Sequence, residues 1–133
     1  MKKIIIIIVL VLLVAGAGLY FFVFSGGPKE PDICYYTPGD YFVTNVKDST
    51  ALFKVTIVIE YLTTNEESTR EHLSEINHAI RDIIVFTLRS KTEPELRSQG
   101  IEQELRNAIV DNLNKGLGID YISTIYFNDF VIQ

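Results

Sequence analysis

Glu71, Glu75, His78 and Asp82 recur at i, i+4, i+7 and i+11, the spacing of one helical stripe. Within it Glu75-Ile76-Asn77-His78 has the Glu-x-x-His pattern that di-iron bundles use to hold metal. That chemistry needs matching ligands on a facing helix. The second helical region supplies Glu93, Glu95, Glu102 and Glu104 but no histidine. The stripe also lies opposite the apolar positions of its own helix, where a solvated surface is expected. The other histidine, His72, is six residues from His78 and so about 240° away around a helix axis, too far round to share one ion. No metal and no cofactor are expected. Cys34, the single cysteine, cannot close an intrachain disulfide. Pro31-Asp32-Ile33 before it lacks the leucine and small residues of a lipidation site, leaving a buried or incidental thiol. No serine elbow, phosphate-binding glycine loop or paired-cysteine motif occurs, so no catalytic residue is expected and the chain does not read as an enzyme.

The elements that carry these residues can be read from hydrophobic periodicity. After the Pro38-Gly39 turn, Tyr41 to Val46 alternates with strand character, Lys47-Asp48-Ser49 supplies a turn, and a longer run follows from Ala51 to Leu62, which predicts a β-hairpin. Phe53, Val55, Ile57, Ile59 and Tyr61 share one face of the long strand, while Lys54, Thr56, Val58, Glu60 and Leu62 share the other. From about residue 69 to Arg89 the period becomes helical, with Leu73, Ile76, Ile80, Ile83, Ile84, Thr87 and Leu88 on one stripe and Ser68/Glu71 matching a capping box. Thr92-Glu93-Pro94-Glu95 starts a short helical turn running to Ser98. The main second helix is expected over Ile101 to Lys115, with Ile101, Leu105, Ala108, Ile109 and Asn112 on one side, closed by Gly116 or Gly118. Ile119 to Ile132 is too β-branched and aromatic for a favoured helix and predicts a terminal strand against the hairpin. The expected class is α+β in the order ββααβ, a small, mostly antiparallel sheet packed with helices on one side.

Ile4 to Phe24 contains no charged side chain and spans about 31 Å as a helix, against a hydrocarbon core of about 30 Å. Five consecutive isoleucines suit a strand by propensity, but an isolated segment in lipid satisfies its backbone only as a helix. Lys2 and Lys3 precede the run, whereas Lys29 on the other flank is balanced by Glu30 and Asp32, so the N-terminus is expected in the cytoplasm and the C-terminal domain outside it. Ala15-Gly16-Ala17 raises the alternative of a cleaved signal peptide. Cleavage there would leave Leu19-Tyr20-Phe21-Phe22-Val23-Phe24 exposed at a mature terminus, which favours an uncleaved anchor. The expected division is therefore 1–24 for the cytoplasmic end and transmembrane helix, 25–37 for a linker whose Ser25-to-Pro31 stretch holds two glycines and two prolines, and 38–133 for one domain. From Cys34 onward nine Lys or Arg stand against fifteen Asp or Glu, a net charge of −6 that argues against nucleic acid and against tight docking on anionic lipid.

Taken together, the arrangement resembles the flagellar basal-body-associated FliL family. Pro38-Gly39-Asp40-Tyr41-Phe42-Val43-Thr44-Asn45 is similar to the family's opening strand segment, and Leu52-Phe53-Lys54-Val55-Thr56-Ile57 to its second strand. Arg81-Asp82-Ile83-Ile84, Leu88-Arg89-Ser90-Lys91 and Glu95-Leu96 resemble its helix-to-helix junction. Ile125-Tyr126-Phe127-Asn128-Asp129-Phe130-Val131-Ile132-Gln133 resembles its C-terminal strand, with the aromatic, hydrophobic and Gln ending.

The resemblance implies a non-enzymatic component of the bacterial flagellar basal body, anchored once in the cytoplasmic (inner) membrane, with its domain beside the stator proteins MotA and MotB. It implies a stomatin-like SPFH fold and a homo-oligomeric ring around the stator's extracytoplasmic linker that stabilises or regulates the active stator, supporting swimming, swarming and chemotaxis. Arg81, Arg89, Lys91 and Glu95 match the family pattern, either as an intersubunit or stator-facing contact or as a set that pins the helix junction within one subunit. The rival readings are a stomatin-like membrane scaffold unconnected with the flagellum and a metal-binding envelope protein using the acidic stripe and His78.

Overall fold

A computed structural model describes residues 2–24, 26, 27 and 29–133, and of Lys2 the backbone alone. Two compact units divide the chain, Met1–Glu30 and Pro31–Gln133. In the first, α1 (Lys2–Phe24) is a continuous helix of 23 residues. Its apolar side chains from Ile4 to Phe24 are all exposed, and by length and composition it is able to cross a membrane. The expected linker includes Ser25 and Pro28, which lie outside the described residues.

In the second unit the strands are β1 (Asp32–Tyr36), β2 (Phe42–Asn45), β3 (Leu52–Thr63) and β4 (Ile122–Ile132). Between β3 and β4 run α2 (Glu66–Glu75), α3 (Asn77–Arg89), α4 (Glu93–Leu96) and α5 (Ile101–Leu117). The class is α+β with an antiparallel sheet, as the periodicity predicts, but the domain has one strand and two helices more than the ββααβ order. The added strand, β1, falls inside the stretch expected as linker. Asp32-Ile33-Cys34-Tyr35-Tyr36 has good strand composition, and prolines at 31 and 38 stand outside its ends, where an edge strand tolerates them.

β3 is the axis of the sheet. β4 pairs with it from Phe53↔Ile132 to Tyr61↔Ile122, while β1 and β2 share the opposite edge, β1 beside Ile59 to Thr63 and β2 beside Leu52 to Val55. Between them five residues, Thr37 to Tyr41, stand opposite three, Thr56 to Val58, so β1 and β2 form one edge interrupted by a bulge. The faces of β3 are those predicted: Phe53, Val55, Ile57, Ile59 and Tyr61 are fully buried, and the alternate residues are exposed or half-buried.

The helical segment after β3 begins earlier than the Ser68/Glu71 pattern suggests. Asn65 caps α2 by accepting from the Ser68 amide at 3.2 Å, so Ser68 lies inside the helix. The expected single helix to Arg89 is also broken, at Ile76, whose φ/ψ of −92°/11° leaves the α region. The break separates a polar helix, whose one buried residue is Leu73, from the amphipathic α3, which buries Ile80, Ile84, Thr87 and Leu88. α3 and α5 run antiparallel, with Ile83 against Gly116, Thr87 bonded to Asn112, and Lys91 paired with Glu104. Leu105, Ile109 and Leu113 complete the core against the sheet. Each such fully buried side chain contributes about 1.5–3 kcal/mol from water exclusion. Asn112, expected on the buried side of α5, is exposed; Leu113 takes that place.

Candidate interaction site

The four residues matched to the family pattern do not form one cluster. Arg81 reaches from α3 into the bulge between β1 and β2, where Nη1 donates to the Pro38 carbonyl at 2.9 Å and Nη2 to the Tyr41 carbonyl at 3.5 Å. Its guanidinium also covers the Phe42 ring, 4.5 Å from the centroid. Gly39 makes room for it: a Cβ there would collide with Nη1, and its φ of 145° disfavours any side chain. Arg89, two turns further along α3 and about 12 Å away along the axis, is exposed beside the Phe86 ring, 6.0 Å from its centroid.

Lys91 and Glu95 meet at the junction that follows α3. The Lys91 ammonium pairs with Glu104 on α5, and its carbonyl accepts from the Lys47 amide at 3.0 Å, which ties the junction to the β2–β3 turn. Glu95 folds back on the start of α4, where one carboxylate oxygen accepts from the Thr92 amide and hydroxyl, both at 2.7 Å. These two bonds, the backbone one first, hold the Glu95 carboxyl below the usual carboxylate range. Ser49 donates to Glu93 at 3.2 Å, a second tie between turn and junction. Arg81, Lys91 and Glu95 thus have partners within the domain, whereas the Arg89 guanidinium, among the described residues, has the Phe86 ring beside it and no ion pair.

The acidic stripe lies where its helical position predicts. Glu71, Glu75, His78 and Asp82 are exposed, and the break at Ile76 divides them between two helices. Among the described residues no three His, Cys, Asp or Glu side chains converge to hold a metal. Cys34 is buried in β1 opposite Tyr61, and burial pushes its thiol up.

Two further surfaces stand open on the domain. One is the outer face of the sheet, where Tyr35 and Tyr126 stand with ring centroids 6.3 Å apart, and Tyr126 and Ser123 both donate to the Glu60 carboxylate at 2.7 Å. The Tyr126 phenol is pushed up chiefly by that bond to Glu60. The other is a groove of about 640 Å³ between α3 and α5, bordered by Ile83, Phe86, Lys91, Ala108, Lys115 and Gly116. Phe86 is 62% exposed and is the one large apolar side chain left open on the helices of this unit. The apolar stripe omits Phe86 because it falls just outside the core-facing arc; its exposure is a tertiary fact.

These features define an α+β domain, with a four-stranded antiparallel sheet covered by helices on one face only, in a chain that also carries an apolar helix of membrane-spanning length. The chain belongs to the FliL family: the family model described as "Flagellar basal body-associated protein FliL" matches residues 35–133, the whole sheet-and-helix unit but for its first few residues. A relative, "Flagellar protein FliL" of Aquifex aeolicus (strain VF5), is 30% identical over 92 residues, which cover 69% of this chain and 56% of that protein. The match thus takes in little more than half of the relative's length.

Proposed function

We propose that the chain is a non-enzymatic component of the flagellar motor that braces the stator from outside the cytoplasm. In this reading α1 crosses the cytoplasmic membrane once, with Lys2 and Lys3 holding the N-terminus inside. The Gly- and Pro-rich residues 25–31 then set the height of the domain above the bilayer. Copies assemble as a ring around the extracytoplasmic linker of the MotA–MotB stator and hold its active conformation, and the domain is of the stomatin-like SPFH kind. The observation that carries the proposal is the family match across residues 35–133 in a chain whose other unit is an apolar helix of spanning length.

The physics suits a brace. Tethering confines the domains to two dimensions and raises their effective concentration, so weak contacts to neighbours on both sides suffice for a ring. Arg89 is the member of the family-matched set that faces outward to a neighbour; Arg81, Lys91 and Glu95 keep that surface in shape. Deletion of the gene in its own host should abolish or weaken swimming or swarming, with restoration by the wild-type chain. Normal motility in the deletion strain would rule the proposal out.

A further inference from the structure

The groove between α3 and α5 is unusual in its charge. The domain is acidic overall, yet Lys91 and Lys115 line the groove with the exposed Phe86, Arg89 stands by the Phe86 ring outside that lining, and among the described residues neither Arg89 nor Lys115 is ion-paired. Asp82 also lines the groove and Glu104 engages Lys91, so the cations left without an ion pair are Lys115 in the groove and Arg89 beside it. Elsewhere on the same domain α2 is polar around most of its circumference. Glu67, Glu71 and Glu75 repeat at i, i+4 and i+8 along one side of it, exposed and, among the described residues, without ion-pair partners, while Arg70 is held by Glu66. A helix this polar, with Leu73 its one buried residue, stabilises the core little and suits a bridging role between bodies.

We propose that this groove seats the acidic side of α2 from a neighbouring copy of the chain. The proposal rests on the ring reading above and names the contact that builds it. Charge complementarity selects the occupant: three unpaired carboxylates on one surface meet unpaired cations around an apolar knob on another. The two surfaces do not overlap, because α2 packs on α3 and β1 whereas the groove lies between α3 and α5. Each copy can therefore give its α2 to one neighbour and receive another in its groove. Such a head-to-tail contact closes into a ring when the rotation per copy allows it. Phe86 supplies the apolar centre, and the charges set register and orientation.

Cysteine cross-linking of the full-length chain in membranes tests this contact. A chain carrying both Glu71→Cys and Lys115→Cys should, on mild oxidation, give a ladder of trimers and larger species. Either substitution alone should give none, and the wild type, with Cys34 buried, serves as the blank. Dimers from Lys115→Cys alone would mean an isologous contact and overturn the proposal. No ladder from the double variant, while a lysine-reactive cross-linker still yields one from the wild type, would overturn this contact and leave the ring standing. No ladder from the double variant on oxidation, together with none from the wild type with the lysine-reactive cross-linker, would overturn the ring reading and this contact with it.

Discussion

The Arg81 guanidinium fills the space that a side chain at Gly39 would need, and from there it donates to the Pro38 and Tyr41 carbonyls within the bulge between β1 and β2. One cation on α3 thereby holds together the two halves of the sheet's interrupted edge. No carboxylate pairs with it among the described residues; its partners are peptide carbonyls and the face of Phe42.

Gly39→Ala should therefore cost about 1–3 kcal/mol, from the strained φ and from displacement of Arg81. Arg81→Ala should cost a similar amount by leaving the Pro38 carbonyl unpaired in a part-buried site. The double variant should be less destabilised than the sum of the two, by at least about 0.5 kcal/mol, because both remove the same contact. Urea unfolding of the four proteins measures the cycle; strict additivity would show that Arg81 and Gly39 act independently.

Asn114 binds both backbone groups of Ile122, donating from Nδ2 to its carbonyl at 2.9 Å and accepting its amide at 3.3 Å. The start of edge strand β4 is capped in this way by a helix side chain. Asn114→Ala should lower stability by about 1–3 kcal/mol. Hydrogen exchange should show the Ile122 amide losing protection before those in β3.

The bond pair at Glu95 makes part of the domain's stability depend on pH. Its folded carboxyl titrates below the unfolded one, so the stabilisation is present above the ordinary glutamate range and disappears as pH falls through the depressed value. Glu95→Gln should melt below the wild type at pH 7, and the gap should shrink as pH falls below the ordinary glutamate range and through the depressed value. A gap that stayed constant over that range would remove charge from the explanation.

Phe86→Ala should leave the domain's own stability within about 0.5 kcal/mol of the wild type, since the ring is mostly in solvent. Association between full-length chains in membranes should nonetheless fall. Thermal melting of the domain and cross-linking of the full chain separate the two effects; a large drop in melting temperature would make Phe86 a core residue instead.

How far the fold was readable varied with the strength of each pattern. The long alternation in β3 settled both its faces, since a shift of one residue would have buried Lys54 and Glu60. Gly118, at φ 66°, ends α5 as a helix-stopping glycine should. β1 escaped because its five residues are too short for periodicity to outweigh the prolines around them. The break at Ile76 escaped because the apolar stripe runs through it: Leu73 and Ile80 keep helical spacing on either side. The site was less readable than the fold. Arg81 and Glu95 stood out by family pattern, but the carbonyls and amide they bind belong to residues whose types carry no signal. The Phe86 groove depends on how α3 and α5 meet, which Gly116 permits by letting Ile83 approach closely.

The proposed contact with the stator can be read from the tagged full-length protein purified from its own host's membranes. MotA and MotB should co-purify with it, and particles imaged from the sample should show several copies of the chain around the stator. Recovery of the chain as a monomer without stator proteins, under conditions that keep the stator itself intact, would contradict it.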